Sequence, residues 1–203
     1  MTEITWSLFA AKETIMSQEK DSVFETVKNG LVATIEGTGD VVKAVVDTTS
    51  STLATTMKDA GKTGAAGTQA ITDIARGVIH GVTKVGSDLG EAAQGTVIGV
   101  MRGTKNVGGE AMDTIGHTSK TVVKSTAEVG GDVVTAAKGV VEGAIRGARD
   151  VGLSAEQAAA AAASGALDAA GEVGSNAAEK VRNAVTGTIS GVKVVLKEPF
   201  KHE

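Results

Sequence analysis

The dipeptide Val-Gly returns every 22 residues through the second half of the chain, and this period constrains the fold more than any other feature. Val85-Gly86, Val107-Gly108, Val129-Gly130, Val151-Gly152 and Val173-Gly174 carry it. Gly77-Val78-Ile79-His80-Gly81 comes back 22 positions later as Gly99-Val100-Met101-Arg102-Gly103. An acidic residue often follows, as in Gly109-Glu110 and Gly131-Asp132. A fixed internal period has to be recognised first, because missing it misassigns the whole fold.

Half the period also holds. One 11-residue row reads Val78, Leu89, Val100, Ala111, Val122, Val133, Ala144 and on to Ala177. Four residues along, a second row reads Val82, Ala93, Thr104, Ile115, Thr126, Ala137, Ala148, Ala159, Ala170 and Val181. Three further on, a third reads Val85, Thr96, Val107, Thr118, Val129, Val140, Val151, Ala162 and Val173. Every member is apolar or Thr, and steps of 4, 3 and 4 are helical spacing. Eleven residues in three turns is about 3.67 per turn, so the stripe runs almost straight with a slight right-handed drift. The other face carries His80, Lys84, Ser87, Asp88, Glu91 and Gln94. A β-solenoid with 22-residue coils would need period-two alternation. Alternation from Val78 puts His80 and Lys84 inside, so the helical reading is preferred.

Glycine shapes what such a helix can do. Residues 77–154 are dense in it, and each costs a helix ~0.8–1 kcal/mol relative to Ala. Over about 16 of them the deficit is on the order of 13–16 kcal/mol, to be met by packing of the apolar face. A lipid surface supplies that packing; so does a neighbouring helix. Gly77 and Gly81, then Gly95, Gly99 and Gly103, then Gly139, Gly143 and Gly147 recur at spacing four, a small-residue face that lets backbones approach closely. Alternatively glycine only thins the stripe and marks turns. Turns at Gly108-Gly109 and Gly130-Gly131 would stack helices of about 18–20 residues as hairpins. The apolar rows stay in phase across both pairs, which favours continuity.

The flanking regions read as follows. Residues 1–60 form an N-terminal helical segment with Trp6 and Phe9 as candidate lipid anchors and a break at Gly37-Thr38-Gly39-Asp40. Residues 61–69 are a Gly-rich linker, 70–154 the repeat helix, and 155–192 an Ala-rich helix that continues the repeat. Ser154 is the N-cap of that last helix, with Gln157 at the capping-box position. Residues 193–203 form a basic and apolar tail in which Pro199 stops helix and Phe200 is a third candidate anchor.

Aromatic residues make up only 2% of the chain, so it has little of the bulk that usually fills cores. With 20 basic and 24 acidic residues, net charge −4, it carries no clustered basic face for nucleic acid. It has no Cys, which excludes disulfides and thiolate metal sites. There is no signal-peptide pattern and no uncharged apolar run of the ~18 residues that span a bilayer, so a cytoplasmic protein, peripheral on a membrane or lipid droplet, is expected. Gly61-Lys62-Thr63 looks like the end of a phosphate-binding loop, but Thr56 stands where that motif needs Gly. Ser17 and Lys20 match a Ser-x-x-Lys spacing without its partner motifs. His80, His117 and His202 have no ligand spacing and read as solvated polar-face residues. The sequence therefore predicts no enzyme, no cofactor and no metal.

Gly81-Val82-Thr83-Lys84-Val85-Gly86, Thr104-Lys105-Asn106-Val107-Gly108-Gly109 and Ser119-Lys120-Thr121-Val122-Val123-Lys124 resemble the 11-residue Lys/Thr/Val/Gly repeats of the synucleins and perilipins, over about residues 70–195. That resemblance implies helix formation on vesicles or droplets; with acidic residues matching basic ones, weakly charged surfaces suit best. The period is also similar, more weakly, to late-embryogenesis-abundant proteins, which implies desiccation protection. The expectation is thus an all-α chain of long amphipathic helices on an 11/22-residue repeat, extended or folded back as hairpins, with no compact globular core. Its lipid- or partner-facing stripe would be Val78, Val82, Val85, Leu89, Val100, Val107, Ile115, Val122, Val129, Val133, Val140, Val151, Val173 and Val181. Its function would be to bind a lipid surface or, alternatively, to pack stripe to stripe with a helical partner or itself; stress protection stands third.

Overall fold

The helices of the repeat end where glycine reverses the chain. In the computed structural model, which describes residues 23–37, 39–59 and 65–196, Gly86, Gly108, Gly130 and Gly152 sit at φ of +69 to +76°. Only a residue without a Cβ takes that left-handed conformation at no cost. It closes a Schellman-type cap: Gly109 N donates to Thr104 O at 2.9 Å, Gly131 N to Thr126 O at 2.8 Å and Leu153 N to Ala148 O at 2.8 Å. At three of these four junctions a side chain two residues after the glycine caps the next helix; Glu110, after Gly108, makes no such bond. Asp88 accepts from Glu91 N, Asp132 from Val134 N and Ser154 from Gln157 N. Side-chain oxygens there take up N–H groups that have no partner inside the helix. Stop and start signals thus stand together at the junctions after Gly86, Gly130 and Gly152.

Helix α1 is described over residues 23–37. It is followed by α2 (Val41–Asp59), α3 (Ala65–Val85), α4 (Leu89–Asn106), α5 (Ala111–Glu128), α6 (Val133–Val151), α7 (Ala155–Val173) and α8 (Ser175–Val185). From α2 to α8, each helix packs against its sequence neighbours and against the helix two along. Gly77 and Gly81 of α3 lie against Phe24, Val27 and Lys28 of α1. The result is two layers, α1-α3-α5-α7 and α2-α4-α6-α8, a solenoid of helical hairpins whose structural repeat is two 22-residue units.

Two kinds of contact hold it together. Between the layers lie the apolar rows: Val82, Ala93, Ile115, Ala137, Ala148, Ala159, Ala170 and Val181 are all fully buried. Burying a Val or Ile side chain contributes ~1.5–3 kcal/mol, and many such contributions meet the glycine deficit. Thr sits in these rows without an orphaned hydroxyl where it bonds back one turn, as Thr96 does to Ala92 O at 2.7 Å and Thr126 to Val122 O at 2.9 Å. Within a layer the helices meet at glycine, so their backbones come close. Small residues are therefore enough to fill the interior, which is why the chain manages with so few aromatics.

The repeat ends in a hairpin. β1 (Gly187–Ile189) pairs antiparallel with β2 (Val192–Val194), with Ile189 opposite Val192. Ser190 and Gly191 take φ of +48° and +80°, the two-residue arrangement whose twist suits a hairpin. Val192 and Val194 are buried, and β2 lies on α7. The first and last helices among the described residues have polar faces: α1 exposes Glu25, Thr26, Asn29 and Glu36, and α8 exposes Glu179, Lys180, Arg182 and Asn183.

Several expectations are corrected. The chain is neither extended nor coreless: one cluster of buried side chains runs through both layers, from Val27 to Val194. The segment 70–154, read as one repeat helix, lies in α3 to α6, and 155–192, read as a single Ala-rich helix, holds α7, α8 and a strand. The physical reason is that 22 residues make six helical turns. A helix plus turn of that length brings every later helix in at the same phase, so rows stay aligned whether the chain continues or reverses. Gly86, Gly108, Gly109, Gly130, Gly131 and Gly152 lie in turns, so the helix penalty falls on fewer glycines than the sequence suggested. Of the linker 61–69, the described part belongs to α3. Trp6, Phe9 and Phe200 lie outside the described residues.

Candidate functional site

The stripe faces inward. Val78, Val82, Val100, Ile115, Val122, Val140 and Val181 are fully buried and Val151 nearly so. Val85, Leu89, Val107, Val129 and Val133 are half-buried against the same core, near the helix ends. Val173, at the last residue of α7, is 50% exposed. No continuous apolar face is presented outward by these positions.

The spaced glycines form seams between helices of one layer. A methyl group at Gly95 would meet Val45 of α2 at 2.9 Å, at Gly99 it would meet Thr49 at 2.6 Å, and at Gly103 Leu53 at 3.2 Å. On α6, a methyl group at Gly143 would meet the Gln94 carbonyl oxygen of α4 at 2.5 Å, one at Gly147 would meet the Met101 sulfur at 2.7 Å, and one at Gly139 would meet the Gly90 carbonyl oxygen. A methyl group at Gly77 would meet the Phe24 carbonyl oxygen at 2.9 Å, and one at Gly81 that of Lys28 at 3.1 Å. Gly165 of α7 does the same against Gly116 of α5. At Gly77, Gly81, Gly139, Gly143 and Gly165 the nearest atom is a backbone carbonyl oxygen, so a side chain there would force the helices apart.

With the apolar rows inside and the lateral faces joined, chemistry is left to the outer faces. On the α2-α4-α6 layer a groove of about 470 Å³ crosses three helices. Val42, Val46 and Ile98 give it an apolar lining, and Lys43, Arg102, Arg146 and Arg149 bring positive charge. Its three carboxylates are engaged. Asp40 accepts from Lys43 N at 2.9 Å as the N-cap of α2, Asp47 pairs with Lys43 Nζ at 2.9 Å, and Asp150 pairs with Arg102. Arg146 and Arg149 donate instead to neutral oxygens, Gln94 Oε1 at 3.2 Å and Ser190 O at 3.3 Å. Among the described residues neither arginine is paired with a carboxylate. The Lys43 ammonium is held more firmly protonated than usual by its hydrogen bond to Asp47.

Sequence reasoning missed this grouping. Its signal is a spacing: Arg102 with Asp150, Gln94 with Glu142 and Lys124 with Glu172 are each 48 apart. That is one two-helix unit plus one turn, legible only once the unit is known.

The opposite layer is bridged by ion pairs. Glu172 of α7 takes Lys120 at 2.8 Å and Lys124 at 2.9 Å, both from α5, and Arg76 of α3 reaches Glu128 at 3.8 Å. The two lysines hold the Glu172 carboxyl at a pKa of about 2, against 4.5 ordinarily. A folded-state pKa depressed in this way contributes stability above the ordinary value, lost as pH falls toward 2. Glu172→Gln is therefore expected to lower the melting temperature slightly near neutral pH, with the difference vanishing between pH 4.5 and 2 and shrinking in high salt. Thermal melts across that range check it; a difference independent of pH would refute the pairing.

The histidines are not simply solvated. His117 of α5 is half-buried and bonds Thr72 Oγ1 of α3 at 3.0 Å, and burial pushes its pKa down. His80 sits edge-on to Phe24, ring centres 5.4 Å apart. His202 lies outside the described residues. Among the described residues no group of His and carboxylates is arranged to hold a metal ion, and no helix is long and apolar enough to cross a membrane.

Neither a protein-family model nor a curated protein matches the chain. Among solved structures it is similar to a de novo designed helical repeat protein, with a TM-score of 0.51 and 16% identity over 83% of this chain and 91% of that one. The likeness concerns the fold: this chain has a helical-repeat architecture.

Proposed function

We propose that the protein is a non-enzymatic structural scaffold, a helical-repeat platform that holds a protein partner on its outer face. The observation that carries this reading is where the apolar stripe goes. The surface that the sequence offers to a lipid or a second helix is used within the chain, layer against layer. Stripe-to-stripe packing is then intramolecular, and what remains for recognition is a rigid, charged exterior with a groove across three helices. Repeat proteins of this build use such extended surfaces for binding. The lipid-surface reading depends on the same residues being free, and stress protection depends on a chain that stays unfolded in water.

Far-UV circular dichroism over a concentration series, with neutral and anionic liposomes, tests the scaffold reading. High helicity at the lowest concentration, unchanged by either liposome, is expected. Low helicity that rises with lipid would restore the surface-binding reading, and helicity that appears only at high concentration would move the stripe contacts between chains.

A further inference from the structure

Deepening the scaffold reading, on which it rests, we infer that the groove across α2, α4 and α6 binds an acidic peptide segment of a partner protein through Arg146 and Arg149. Charge complementarity carries the assignment. The protein as a whole is acidic, at net −4, yet this groove holds two guanidinium groups one turn apart on α6 with no carboxylate of their own among the described residues. The neighbouring carboxylates bond elsewhere: Asp40 caps a helix N-terminus, Asp47 pairs with Lys43, Asp150 pairs with Arg102, and Glu142, one turn before Arg146, accepts from Gln94 Nε2 at 3.1 Å. A guanidinium presents a planar fork that matches a carboxylate, and charge-assisted bonds of this kind are about twice as strong as neutral ones.

The lining adds a second feature. Val42, Val46 and Ile98 give the groove an apolar floor, in which Val46 and Ile98 are almost fully buried, so the occupant can carry apolar side chains among its acidic ones. Three helices at the usual 8–10 Å spacing span roughly 16–20 Å, which about six extended residues cover. A short segment alternating Glu or Asp with Leu fits both the reach and the chemistry. Such a segment would also compete for the Arg149 bond to Ser190 O, and so for the tie between α6 and the hairpin turn.

Fluorescence anisotropy of a labelled Glu/Leu peptide of about that length, titrated with the full chain, is the test. Binding that weakens with salt, and that falls at least ~10-fold in Arg146→Gln/Arg149→Gln, is expected. Both side chains are exposed, and circular dichroism of the variant shows whether its helices survive; the single variants serve if they do not. Equal binding of a Lys/Leu peptide, or binding unchanged in the variants, would overturn the inference. Arginine-dependent binding of anionic vesicles, or of inorganic phosphate alone, without peptide binding would assign the groove to a different ligand and overturn it too. A helical wild type that binds no peptide sinks this inference while leaving the scaffold reading in place; a wild type without helicity in buffer sinks both.

Discussion

Gly139→Ala/Gly143→Ala is expected to lose roughly 2–4 kcal/mol of stability, although alanine is the better helix former at both positions by ~1 kcal/mol. The two new methyl groups would land on the carbonyl oxygens of Gly90 and Gln94. Backbone cannot rotate aside as a side chain does, so α4 and α6 must separate and release the packing between them. Overpacking of this kind costs ~1–3 kcal/mol per site and here outweighs propensity. For a chain of this size the melting temperature should fall by about 5–15 °C. Gly171→Ala is the control. It lies within α7 with nothing near the added methyl, so it should stabilise by up to ~1 kcal/mol. If the double variant melts at or above the wild type, the glycine seams are not close contacts.

A cut in the core should cost as much. Ile145 is among the largest fully buried side chains and sits mid-way along α6. Ile145→Ala is expected to destabilise by ~2–5 kcal/mol, from lost burial and the cavity left behind. Val173→Ala, at a position half exposed to solvent, should stay within about ±0.5 kcal/mol. Urea unfolding checks both: the midpoint should drop sharply for Ile145→Ala at unchanged slope and hold for Val173→Ala. Equal, small shifts in both would mean that the core between the layers is not enclosed in solution.

Much of this was legible beforehand, and the part that was misread has a specific cause. Most residues of the three 11-residue rows are buried between the layers, and the glycines at spacing four lie where an added methyl would meet the next helix. The stop signals were also visible. A glycine followed two residues later by Asp or Ser, as at Gly130-Gly131-Asp132 and Gly152-Leu153-Ser154, is a left-handed cap joined to an N-cap. They were outweighed by the phase continuity of the rows. The hairpin was hidden for another reason. Val192, Lys193 and Val194 alternate around a Ser190-Gly191 turn, but three residues per strand are too few to stand out against helical spacing.

The groove was less legible than the fold. Arg102, Arg146 and Arg149 are unremarkable as sequence, scattered among acidic neighbours at ordinary helical intervals. They become a group only because α4 and α6 are adjacent and α5, which lies between them in sequence, belongs to the other layer.

What the sequence determined by itself is local: helical period, apolar face, the positions where small residues are required, and the length of one unit. Those follow from side chains within a few residues of one another, whose geometry is set by the backbone alone. Where the chain reverses, which helices become neighbours, and whether the stripe faces lipid, another molecule or its own chain were decided by tertiary structure. A 22-residue unit keeps helical phase in either case, so only the free energy of packing distant helices together separates the alternatives. That packing occupies the stripe and leaves the charged faces on the outside.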